Sequence, residues 1–123
     1  MLRTFLMLAA VFGFTGVGLG AFAAHGLKGR LSPEHLAVFQ TGVLYQLIHA
    51  LALLGVALLA THLQGRLVSL AGAFFAIGII LFSGSLYVLT LSGISKLGII
   101  TPFGGLAFLA GWVCLGLVAW RLA

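Results

Sequence analysis

Acidic side chains are almost absent from this sequence: Glu34 is the only one in 123 residues, against six Lys and Arg. A carboxylate pair for general acid–base catalysis is therefore excluded. Cysteine occurs once, at Cys114, so no intrachain disulfide can form, and a thiol inside an apolar stretch packs as a small hydrophobe. Charged residues of both signs make up only 6% of the chain, far below the roughly 25% of soluble domains. No Walker loop, zincin motif or nucleophile with an attendant base occurs. No long linker, low-complexity tract or tandem repeat is present either, and the connections are too short to form a catalytic domain of their own. These absences predict a protein that is not an enzyme.

What fills the chain instead is apolar sequence, 63% of residues, with a mean hydropathy of +1.30. Thr4–Ala24, His35–Gly65, Leu67–Ser95 and Leu97–Trp120 contain no Lys, Arg, Asp or Glu. Each exceeds the roughly 20 apolar residues that cross a hydrocarbon layer of about 30 Å. The basic residues Arg3, Lys28, Arg30, Arg66, Lys96 and Arg121 stand singly at the ends of these runs, as cations do that anchor helix ends to lipid phosphates. With no contiguous basic patch, nucleic acid is not an expected partner; the lipid bilayer is. Arg3 ahead of an apolar run, with Ala21-Phe22-Ala23 after it, raises a signal peptide as an alternative. The run is longer than the roughly 7–15 residues of such a segment, so it reads as the first membrane helix.

The expected fold is all-α: an integral membrane four-helix bundle, one domain over 1–123, with helices at about 2–24, 33–62, 67–91 and 102–121 and both termini on the same side. Ser32-Pro33-Glu34 predicts a helix start, with Ser32 as N-cap, Pro33 in the first helical position and an acid at the positive end of the dipole. Thr101-Pro102 repeats that logic for the last helix. An even number of spans puts Arg3, Arg66 and Arg121 on one side and Lys28, Arg30 and Lys96 on the other, a tie under the positive-inside rule. The N-terminal amine tips it toward cytoplasmic termini.

Tyr45, Gln46 and His49 lie three and four residues apart on the second helix, so they share a face that belongs inside the bundle rather than against lipid. Ser83, Ser85 and Tyr87 on the third helix are the candidate companions. Together these six form a candidate intramembrane polar site, read either as interhelical hydrogen bonding around a neutral histidine or as a proton relay or ligand site. The structural reading is favoured because no carboxylate accompanies them. Gly16 with Gly20, Gly72 with Ala76, and Gly111 with Ala107 form small-residue lines that permit close helix contact; Gly84, Gly104 and Gly105 are further candidates for it. His25, His35 and His62 lie far from His49 along the chain. No metal or haem ligand set has a diagnostic spacing, and no cofactor is expected.

Several blocks of the chain resemble a known family. They are Gly20-Ala21-Phe22-Ala23-Ala24-His25-Gly26-Leu27; Gln40-Thr41-Gly42 with Tyr45-Gln46 and His49-Ala50; Phe82-Ser83-Gly84-Ser85-Leu86-Tyr87; Thr101-Pro102-Phe103-Gly104-Gly105; and Gly111-Trp112. In this order, over nearly the whole chain, they resemble the YgdD/YwdK family of small uncharacterised inner-membrane proteins. Ala23 and Phe103 depart mildly from that pattern, where Gly and an aliphatic residue are usual. The resemblance implies a compact multi-pass protein of the bacterial plasma (inner) membrane with a domain of unknown function, and it supplies no catalytic residue. The expected role is helix association, as a homo-oligomer or as an accessory subunit of a larger membrane complex. The alternatives are a transporter or channel component centred on His49, or a cofactor-binding electron-transfer subunit.

Overall fold

The computed structural model describes residues 1–122; residue 123, the last of the expected domain, lies outside the described residues. Helix α1 spans Leu2–His25, α2 Pro33–Leu59, α3 Arg66–Gly78, α4 Gly84–Ser92 and α5 Thr101–Arg121, and no strand occurs among the described residues. A π-helical turn, Ile79–Ser83, joins α3 to α4 as one continuous span, and a 3₁₀ turn, Ser95–Ile99, precedes α5. Four segments are long and apolar enough to cross a membrane: Leu2–His25, Pro33–Leu59, Arg66–Ser92 and Ser95–Arg121. The chain is a multi-pass membrane protein.

The helix boundaries follow local chemistry. Ser32 Oγ accepts the His35 backbone N–H at 3.2 Å, and Pro33 opens α2, so the first free amides of that helix meet a cap rather than apolar surroundings. Gly29 takes a φ of 85° in the preceding turn, a conformation that side chains resist. At the other end α2 stops at Leu59, three residues before the expected His62. There the Thr61 hydroxyl bonds the Leu58 carbonyl at 2.7 Å, and the His62 N–H reaches Leu59 O at 3.0 Å. These bonds across three residues tighten the last turn and end the helix. α4 ends on Gly93, whose φ of 76° is left-handed and whose N–H bonds Leu89 O at 2.8 Å, the glycine-terminated form of a helix end.

Two further features depart from expectation. The third span is interrupted by its π turn, which periodicity does not reveal because hydropathy is uniform across it. Thr101 is not an N-cap: it is the first residue of α5, and its side chain is hydrogen-bonded to Ser85 Oγ. Because Ile100 precedes it and the 3₁₀ turn delivers the chain already coiled, the hydroxyl is free to bridge to α4.

The bundle packs as α1 on α2 and α3 on α5, with α2 also bridging to α3, the π turn and α4. α1 is the outlying member, with a much smaller share of its apolar residues buried than α2. The larger core holds Phe5, Leu53, Val56, Val68, Phe75 and Phe108; a smaller one gathers Ala23, Leu27, Phe39 and Val43 beneath Tyr87. Close approach relies on glycine at particular points. A Cβ at Gly16 would lie 2.7 Å from Leu47 and one at Gly111 2.6 Å from Phe75, while at Gly72 it would strike the Phe5 ring and at Gly104 the Phe82 backbone. Gly20 has Val43 at 3.2 Å. The expectation fails for Gly84, which faces open space, and for Gly105, which has only Phe82 Cδ2 at 3.9 Å. Gly42 and Gly78, not among the glycines expected to pack helices, carry close contacts instead, against Tyr87 and Phe108.

Candidate functional site

His49 projects from the middle of α2 and is 4% exposed. Its Nδ1 lies 2.8 Å from the Tyr45 carbonyl oxygen, and the Trp112 indole N–H is donated to its Nε2 at 3.0 Å. A carbonyl only accepts and an indole only donates, so these two contacts require the neutral ring with its proton on Nδ1. The imidazole is stacked on Phe108, with centroids 3.6 Å apart and planes 9° from parallel, and Phe75 stands at 5.5 Å. Both nitrogens are engaged, and the two phenyl rings beside the imidazole are apolar.

Gln46, one turn earlier, points the other way. Its Nε2 donates to Phe12 O at 3.0 Å and to Thr15 Oγ1 at 2.8 Å on α1, and its Oε1 accepts the Tyr87 hydroxyl of α4 at 2.6 Å. One amide thus joins three helices. Thr15 in turn donates to Val11 O at 2.9 Å, so the chain of donors ends on a carbonyl and leaves no proton unplaced.

The serines act near the π turn. Ser83, fully buried within it, donates to the Gly42 carbonyl of α2 at 2.7 Å. Ser85 bonds Phe82 O at 2.9 Å and Thr101 Oγ1 at 2.6 Å. Thr90 Oγ1 returns to Leu86 O at 2.9 Å, the usual way a buried hydroxyl is satisfied on a helix. No buried side-chain nitrogen or oxygen among the described residues is left without a partner.

The six residues expected to form one polar site are therefore divided. Gln46 and Tyr87 lie toward α1 and α4, Ser83 ties the π turn to α2, Ser85 ties α4 to α5, and His49 faces α5. Tyr45 contributes its backbone carbonyl to His49, while its ring packs against Phe82 at 4.8 Å. None of the side chains expected to share a polar site with His49, those of Tyr45, Gln46, Ser83, Ser85 and Tyr87, holds its Nε2; Trp112 does. Sequence reading passes over Trp112 because tryptophan in a membrane segment is ordinarily an interfacial anchor, and only the pairing of α2 with α5 brings it to His49. Among the described residues no three His, Cys, Asp or Glu side chains come together in a way that could hold a metal ion.

The family described as "Protein of unknown function (DUF423)" matches residues 19–105. The chain is 47% identical to the UPF0382 membrane protein YwdK of Bacillus subtilis (strain 168) over 119 residues, 96% of this chain and 97% of the relative. It is 44% identical to the UPF0382 inner membrane protein YgdD of Escherichia coli (strain K12) over 124 residues, 98% of this chain and 92% of the relative. The UPF0382 membrane protein SAB0533 of Staphylococcus aureus is 41% identical over 122 residues, covering 99% of both chains. No solved structure matches. The chain belongs to this family of membrane proteins of unknown function.

Proposed function

We propose that this member of the family is a non-enzymatic membrane subunit that works through helix association, as a homo-oligomer or as an accessory subunit of a larger membrane complex. The observation that carries the reading is the one-sided packing of α1. It is fastened to α2 along one stripe, while Met7, Phe14 and Val17 are 60%, 82% and 63% exposed and Gly13 and Gly18 have nothing within 4 Å of a Cβ. Large side chains beside open glycines suit a second helix, because association in lipid depends on close van der Waals approach rather than on hydrophobic drive. The inner polar groups support the non-enzymatic part: both nitrogens of His49 are engaged, which disfavours it as the base of a proton relay or a transport step.

The bacterial plasma membrane is the proposed location, in keeping with the name of the YgdD relative. Cytoplasmic termini are the proposed orientation. Arg66 and Arg121 line one recess with Gly65 and Leu122, which supports the α2–α3 connection and the end of α5 sharing one end of the bundle; the cytoplasmic assignment of that end rests on the N-terminal amine alone.

Cysteine crosslinking tests the association. Cys114 is buried, so a Cys114→Ser background carrying Phe14→Cys should yield crosslinked species in native membranes. Ile80→Cys, 61% exposed on the third span, serves as the control. Mass determination in mild detergent then distinguishes a homo-oligomer from a partner protein. A monomer that shows no crosslink at Phe14 would exclude this role for α1.

A further inference from the structure

A lateral groove of about 560 Å³ runs between α2 and α5, with Tyr45, His49, Phe82, Gly105, Phe108 and Trp112 among its lining residues. It opens sideways, so in a bilayer it meets lipid rather than water. One polar group in it is unprovided for. Tyr45 is 38% exposed and its hydroxyl enters no hydrogen bond among the described residues, whereas Gln46, His49, Ser83, Ser85 and Tyr87 are all bonded. Tyr45 lies well inside α2, about 18 Å along the axis from Pro33 and about 21 Å from Leu59 at 1.5 Å per residue. Phosphates and glycerol esters stay near the boundary of a layer about 30 Å thick, so neither headgroup nor water answers the phenol at that depth.

We propose that this groove binds a flat, lipid-soluble carbonyl compound of the quinone class, its ring set among the aromatic walls and its carbonyl accepting the Tyr45 hydroxyl. The phenol is a donor in need of an acceptor, and a carbonyl brings an acceptor with no donor of its own to satisfy. An alcohol would bring a donor of its own that nothing in the groove accepts, whereas the second carbonyl of a quinone adds only an acceptor, the less costly group to leave unmet. A planar ring suits walls made of Phe82, Phe108 and Trp112, since aromatic faces pair in offset or edge arrangements. Room for it exists at Gly105, where an added Cβ meets nothing closer than 3.9 Å. This binding does not depend on the association proposed for α1, which lies on the far side of α2.

Tryptophan fluorescence provides the test. The chain has two tryptophans, and Trp120→Phe leaves Trp112, in the groove wall, as the sole reporter. Purified protein in detergent is titrated with decylubiquinone. Saturable quenching is expected, with the dissociation constant raised about tenfold by Tyr45→Phe, which corresponds to one hydrogen bond of about 1.4 kcal/mol. Gly105→Leu should abolish the saturable component by filling the groove, and Leu106→Trp, at a groove position 61% exposed, should do the same without touching the helix contact when read by competition with a radiolabelled quinone. Quenching that never saturates, or that is unaffected by both groove-filling variants, would overturn the proposal. Loss of quenching in the filled variants together with an unchanged constant in Tyr45→Phe would mean that the groove holds an apolar chain without carbonyl recognition, which overturns it equally.

Discussion

Trp112 of α5 donates its indole N–H to Nε2 of His49 on α2 at 3.0 Å, the one side-chain hydrogen bond that links these two helices among the described residues. The imidazole is thereby closed at both nitrogens inside an aromatic surround. Leaving such a ring unpaired in lipid would cost several kcal/mol by the apolar-transfer scale, on the order of 4–8, which explains why its partners are a fixed carbonyl and a donor that cannot also accept.

His49→Leu should loosen the bundle, because it strands the Trp112 N–H and removes a stacked ring; a loss of about 1–3 kcal/mol is expected. His49→Gln retains a polar side chain at the same place and should lose less. Unfolding in mixed micelles checks the order, and a double-mutant cycle with Trp112→Phe should show coupling of about 0.6 kcal/mol, the average for hydrogen bonds between membrane helices, and no more than about 1.7 kcal/mol. Additive effects would mean that the contact contributes nothing.

The amide of Gln46 is the polar tie that holds α1. Gln46→Leu removes two bonds to α1 and leaves the Tyr87 hydroxyl without its acceptor, so α1 should separate from α2 more readily than any other pair. Hydrogen exchange at Phe12–Gly16 should accelerate while exchange in α3 and α5 stays as it was. Tyr87→Phe removes one donor and keeps the ring against Phe39 at 4.8 Å, so its effect should be smaller.

How much of this was legible beforehand varies residue by residue. The spans, the Ser32 cap and the inward placement of His49 follow from charge-free runs, a local capping pattern and the cost of an imidazole in lipid, all of which act within one segment. The π turn, the Thr101–Ser85 bond and the Trp112 contact depend on how two spans are rotated against each other. Uniformly apolar helices carry no periodic signal that fixes that rotation. Gly84 and Gly105 looked equivalent to Gly104 for the same reason, although only Gly104 abuts another backbone.

Those glycines can be told apart by adding one methyl group. At Gly104 the new Cβ meets the Phe82 backbone in the π turn, which cannot swing aside as a side chain can, so Gly104→Ala should cost the upper part of the roughly 1–3 kcal/mol typical of overpacking. Gly84→Ala faces open space and should change stability by less than about 0.5 kcal/mol, as surface substitutions do. Thermal melts in detergent give the comparison directly. Equal melting temperatures for the two variants would mean that α5 does not approach the π turn this closely.

Orientation is open to a separate measurement. Reporter fusions after Arg66 and at Ala123 should report the same side as the N-terminus, with insertions at Lys28 and Lys96 reporting the opposite side, because four spans return the chain to its starting face. Three basic residues fall on each side, so the charge rule alone gives almost no bias. Adding Lys residues next to Lys28 and Arg30 should therefore invert a fraction of the molecules, whereas adding them beside Arg66 should leave a single orientation. If the fusions at the two termini report opposite faces, one of the four apolar segments does not cross, and Ser95–Arg121, which begins with a 3₁₀ turn and carries Lys96, is the segment to examine first.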